Sequence, residues 1–158
     1  MMNFQFNDGG RTICGFKGSA GDCVVRAVAI ATEQNYEDVY YQLSAGCRNQ
    51  RVTRSYKASA RNGVNTKRKW FRNYMRRIGW KWTPTMHIGS GCKIHLADGE
   101  LPMGRLIVAV SGHYTAVIDG VIYDTFDPQR KTYWYGPDGT VSRVSERCVY
   151  GYWEKGQP

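Results

Sequence analysis

Three residue types that together support acyl transfer stand far apart in this 158-residue sequence: Cys23, His113 and Asp124. Cys23 opens the run Cys23 to Thr32, which is almost wholly apolar and follows Asp22, a residue type that favours helix N-caps. A helix is therefore expected to begin at Cys23. A thiol in the first turn of a helix feels the positive end of the helix dipole and unpaired backbone N–H groups, both of which favour thiolate. A lone cysteine beside Val24 and Val25 would read better as a small core residue, so a partner has to decide.

His113 is that partner. It opens the stretch His113 to Phe126, in which Asp119-Gly120 separates two β-type runs, the strongest short hairpin signal. A two-residue turn pairs Ile118 with Val121. Counting back puts Thr115 opposite Asp124 and His113 opposite Phe126, so His113 and Asp124 become diagonal neighbours on one face of the ribbon, about 7–8 Å or less apart. Asp127 falls opposite Gly112, pointing to the other face, and ranks second as the orienting carboxylate. Thiolate, imidazole and carboxylate are the nucleophile, base and orienter of acyl transfer.

The elements that must hold these groups follow from periodicity. The Cys23 helix is apolar on nearly every side and belongs in the centre of the fold. Asn35 should cap a second helix, with Glu37 and Asp38 in its first turn and Tyr36, Val39, Tyr40 and Leu43 inward, ending near Gly46. Cys47 to Asn65 is polar and basic without a period, an expected exposed loop. A third helix should run from Asn65 or Thr66 to about Gly79. Its buried stripe is Trp70, Phe71, Tyr74, Met75 and Ile78, and Lys67, Arg68, Lys69, Arg72, Arg76 and Arg77 face outward. Short β-type runs follow at Leu106 to Val110, His113 to Ile118, Val121 to Phe126, Thr132 to Tyr135 and Cys148 to Trp153. Helices first and strands later predict an α+β fold, one domain over 1–158, with N-terminal helices followed by an antiparallel sheet.

Charge is polarised. The chain carries a net +9, yet Val39 to Ala97 holds thirteen basic residues and no acidic one, leaving a net of −4 elsewhere. The segment 48–81 is thus expected to form a basic surface beside the catalytic groove, facing an acidic partner or a nucleic acid; a solvated helix face is the plainer reading. No apolar run approaches a membrane span, so no membrane association is expected. The N-terminus lacks the pattern of an export signal, which reads as cytoplasmic. In such a reducing compartment Cys14, Cys23, Cys47, Cys92 and Cys148 should be thiols. His87, Cys92, His95 and Asp98 lie close together but match none of the common zinc spacings, so neither metal nor cofactor is expected. Asp8-Gly9-Gly10 and Gly89-Ser90-Gly91 lack phosphate-loop spacing and read as turns.

The order of a cysteine on a central N-terminal helix, then histidine and aspartate on a later hairpin, resembles the papain-like cysteine peptidases, including the small domains that trim exported bacterial peptides. Gly21-Asp22-Cys23-Val24-Val25-Arg26-Ala27, Ile88-Gly89-Ser90-Gly91-Cys92 and the stretch from His113-Tyr114 to Asp124-Thr125 are similar to a group of small bacteriophage and prophage proteins that brings no known substrate. The resemblance implies a papain-like fold and a thiol-dependent peptidase or isopeptidase acting on a protein or peptide, in the bacterial host cell if phage-encoded. Papain-like enzymes usually place a glutamine six residues before the nucleophile as oxyanion donor. Lys17 stands there, with Gln5 and Asn7 as other side chains near it in sequence, while the Cys23 N–H supplies one donor in any case. A peptidoglycan endopeptidase or amidase of a phage uses the same groups, and a papain-like module without catalysis would instead grip nucleic acid through its basic surface.

Overall fold

A computed structural model describes residues 1–18, 20–51 and 59–157. The apolar run after Asp22 forms helix α1 (Cys23–Thr32), in which every residue from Val24 to Ala31 is buried. Its last carbonyls lie inside the protein and need donors. Arg105 supplies them, reaching the Ala31 and Ile30 oxygens at 2.7 and 3.0 Å. Helix α2 (Tyr36–Arg48) is capped as expected, the Asn35 side chain accepting from the Glu37 and Asp38 N–H groups, and runs two residues past Gly46.

Helix α3 (Lys69–Arg77) buries Phe71, Tyr74 and Met75. It starts later than the sequence predicts because Asn65 caps a preceding turn, its Oδ1 accepting from the Lys67 N–H at 3.1 Å. Arg72 also departs from expectation. Its guanidinium lies over the rings of Trp82 and Trp153, 5.6 Å from each centroid, where cation–π attraction outweighs full solvation.

Among the described residues, eight strands complete the fold: β1 (Asn3–Phe6), β2 (Trp80–Pro84), β3 (Arg105–Val110), β4 (His113–Ile118), β5 (Val121–Asp124), β6 (Lys131–Tyr135), β7 (Val141–Glu146) and β8 (Val149–Lys155). Six form one sheet in the order β1-β5-β4-β3-β8-β2, and β6 and β7 pair separately. The class is α+β. The expected antiparallel sheet is corrected to a mixed one, since β1 pairs in parallel with β5. Strands β1, β2 and β7 were not foreseen. In β3, Leu106, Val108 and Val110 enter one apolar cluster while Ile107 and Ala109 enter the other, so the sheet is covered on both faces. Among the described residues, no helix is long and apolar enough to cross a membrane.

Two further expectations are corrected. Cys92 and Cys148 are not thiols but a disulfide, their Cα atoms 5.8 Å apart, brought together because His95 bridges to Cys148 beside the start of β8. Cys14, Cys23 and Cys47 remain free. The Cys47 to Asn65 segment is not wholly an exposed loop, because Cys47, Ala60 and Val64 are buried in the helix-side core. Its residues 52–58 lie outside the described residues.

Gly46 offers a test of this packing. Replacing a mid-helix glycine with alanine ordinarily gains about 1 kcal/mol. Here a Cβ would fall 2.2 Å from the Trp70 ring, so Gly46→Ala should destabilise by about 1–3 kcal/mol instead, read as a lowered midpoint in urea.

Candidate functional site

The hairpin forms as its turn residues require. Asp119 and Gly120 both adopt positive φ, 48° and 78°, and Ile118 pairs with Val121. That register leaves His113 and Asp124 on one face, and their side chains meet: His113 Nε2 lies 2.7 Å from Asp124 Oδ2. Asp124 Oδ1 accepts from the Thr125 N–H at 2.7 Å and lies 3.6 Å from Arg26 Nη2. Helix α1 packs across β4, which brings the Cys23 thiol close enough to the His113 imidazole for each to shift the other's ionisation. Cys23, His113 and Asp124, chosen from spacing, thus stand in one line. Asp127 does not join them; its carboxylate holds the Gln129 N–H at 3.0 Å.

Burial pushes the Cys23 thiol up, but the hydrogen bonds from His113 and Tyr114 and the nearby charges of His113 and Arg26 outweigh it, leaving the thiol below its ordinary value. For His113, burial disfavours the charged ring, yet its bonds to Asp124 and Cys23 raise it to about 9. Burial also opposes ionisation of Asp124, and the His113 hydrogen bond and the Thr115 hydroxyl hold its carboxyl below the usual range. The three shifts share one cause, a buried alternation of negative, positive and negative charge. Each shift acts in the direction of thiolate beside imidazolium.

This pairing fixes the sign of a pH dependence. Thiol-dependent turnover should fall on the acid side as Cys23 takes up a proton, and on the alkaline side as His113 loses its own near pH 9. The stability from a raised histidine is fully present below about 6.5 and lost as pH rises through about 9. A pH–rate profile of Cys23 acylation checks the two limbs.

The line opens into a cleft of about 740 Å³. One wall is the stretch from Asn62 to Lys67, the other includes Trp82, Tyr114 and Tyr150, and the Phe126 ring lies tilted against His113 with ring centres 4.9 Å apart. Among the described residues, no Asp or Glu lines it. Gly21, two residues before Cys23, lies against Asn62, where a Cβ would meet its carbonyl oxygen at 3.2 Å. The three side chains considered as oxyanion donors do not line the cleft. Lys17 is exposed, with its carbonyl accepting from Arg11; Gln5 sits on β1 opposite Tyr123; and Asn7 binds the Gly9 N–H at 2.7 Å. Along the Asn62 to Lys67 wall the side chains with N–H donors are Asn62, Asn65 and Lys67.

Asp22 and Arg26 were missed as site residues. Asp22 forms no side-chain cap, contrary to expectation. Its buried carboxylate bonds to Arg26 and to the Tyr36 hydroxyl, and pairs with Arg11 Nε at 3.2 Å, partners that a charge buried in this position needs more than a helix N–H. The signal was present: an Asp and an Arg four apart in an otherwise apolar helix.

His87, Cys92, His95 and Asp98 do not gather as ligands. Cys92 is in the disulfide, and Asp98 pairs with the N-terminal amine at 3.0 Å. His95 lies instead with Glu100 and Glu146, their ligand atoms all within 4.8 Å of one another. Comparison of the chain with family models, with curated proteins and with solved structures gives no match in any of the three.

Proposed function

We propose that this chain is a thiol-dependent hydrolase of the papain-like kind, a cysteine peptidase or isopeptidase acting on a protein or peptide. The observation that carries the reading is that Cys23 and His113 line an open cleft, with Asp124 buried behind the His113 ring at 2.7 Å. Cys23 Sγ attacks the acyl carbon, and the developing oxyanion takes the Cys23 N–H together with a donor from the Asn62 to Lys67 wall. The His113 imidazolium gives its proton to the leaving amine as the tetrahedral adduct collapses to a thioester. Neutral His113 then accepts a proton from water, whose oxygen attacks the thioester; the acid departs and the Cys23 thiolate returns beside imidazolium. Asp124 holds the ring and balances its charge throughout.

An activated peptide ester tests this without knowledge of the natural substrate. The expected result is a thioester on Cys23, trapped by acid quench and located by peptide mapping, followed by release of the acid. In Cys23→Ala neither appears. If Cys23 alkylates readily yet never acylates, the peptidase reading fails.

One observation favours a second reading. The acid-free segment contributes the Asn62 to Lys67 wall, so an acidic partner fits beside the cleft. A module that grips nucleic acid there would show affinity falling by orders of magnitude between about 50 and 200 mM salt. Charge reversal at the exposed Arg76 and Arg77 would weaken such binding and leave Cys23 labelling unchanged.

A further inference from the structure

Helix α1 is apolar and buried along its length, yet Arg26 lies within it, one turn after Cys23 and almost fully buried. A charge in that position costs several kcal/mol unless it is well paired, and its partners are informative. One arm of the guanidinium bonds to Asp22, the residue just before Cys23. The other lies 3.6 Å from Asp124 Oδ1, on the carboxylate whose second oxygen holds His113. The same side chain therefore touches the start of the helix that carries the thiol and the strand that carries the orienting carboxylate.

We propose that Arg26 is a positioning residue for the Cys23, His113 and Asp124 line: its fork bridges Asp22 to Asp124 and so fixes the nucleophile-bearing helix against the hairpin. This inference rests on the proposed function, since it assigns Arg26 a part in the same site. Asp124 is held on both sides, by His113 at Oδ2 and by Arg26 together with the Thr125 N–H at Oδ1, which leaves the carboxylate no freedom to turn from the imidazole. Asp22 is held in turn by Arg11 from the N-terminal loop and by the Tyr36 hydroxyl of α2. The charged and titratable groups around Arg26 are thus Asp22 and Cys23 on its own helix, Arg11, Tyr36, Asp124 and His113, and their formal charges alternate through the buried site. Planarity matters here, because a guanidinium can serve two carboxylates from one fixed fork, whereas an ammonium is a point charge on a flexible stem.

The test compares Arg26→Lys and Arg26→Gln with the native chain, reading the rate of Cys23 alkylation by iodoacetamide against pH. Arg26→Gln removes both charge and fork. The expected result is a rate at pH 6 lowered about tenfold, equivalent to an acid limb displaced by about one pH unit, with convergence on the native rate at high pH where every thiol is ionised. Arg26→Lys keeps the charge and loses the fork, so its rate at pH 6 should fall between the two. If Arg26→Lys follows the native profile, charge alone suffices and the bridging role is overturned. That variant retains the buried positive charge, so it decides the matter even where Arg26→Gln does not fold. An ordinary thiol profile for Cys23 in the native chain would defeat the proposed function itself, a result separable from failure of the Arg26 proposal, in which the native thiol is activated and the variants match it.

Discussion

In a His113→Ala variant, alkylation of Cys23 at pH 6.5 falls by about one to two orders of magnitude. An ordinary thiol is only about 1% ionised at that pH. In the native site His113 supplies the hydrogen bond and the neighbouring charge that favour thiolate against the opposing effect of burial. Without the ring, burial remains and its main counterweight is gone. The drop is smaller than the change in ionisation alone, because a thiolate of lowered pKa is also intrinsically less nucleophilic. As pH approaches 10 the gap should close, and the variant's more basic thiolate should match or exceed the native rate. Asp124→Ala should lose less, since the imidazole persists without its partner at 2.7 Å. Equal rates at pH 6.5 for native and His113→Ala protein, both folded by circular dichroism, would contradict the pairing.

Trp153→Ala should lower stability by about 3–5 kcal/mol, a large share of the roughly 5–15 kcal/mol that holds a typical domain together. Trp153 is fully buried on β8, where it meets Phe71 of α3 at 6.2 Å and Trp82 of β2 at 5.3 Å, beneath the Arg72 guanidinium. It therefore joins a helix to two strands, and truncation leaves a void that three separate elements would have to close. Trp82 also lines the cleft, so loss of its neighbour should loosen that wall. Urea unfolding followed by circular dichroism reads the effect; a midpoint within about 1 kcal/mol of the native value would show that the cluster is not the core described.

How legible this was differs by residue. The His113 and Asp124 pairing could be read off because Asp119-Gly120 demands positive φ at two successive positions and so fixes a register from which neighbours can be counted. Helix α1 was legible from its uninterrupted apolar run. Strand β1 was not, since all four of its residues are exposed and carry no burial pattern, and its parallel pairing with β5 is a long-range event. Strand β2 could have been read from the alternation of Trp80, Lys81 and Trp82 after Gly79. The Cys92–Cys148 disulfide spans 56 residues, and no local spacing points to it. The part of Asp22 was misread because local rules favour capping, while the tertiary fold brings Arg11 and Tyr36 to the same carboxylate. The cleft wall of Asn62 to Lys67 was hidden inside a segment that reads only as polar and basic.

The central claim, that Cys23 is an activated nucleophile, is tested most directly by measuring iodoacetamide rates of the three free cysteines against pH in the folded protein, resolved by peptide mapping. Cys23 should react fastest at neutral pH and hold its rate furthest into acid, while Cys47, whose thiol burial pushes up, should be slow until alkaline pH. A Cys23 that reacts no faster than Cys14 or Cys47 at neutral pH would contradict the account.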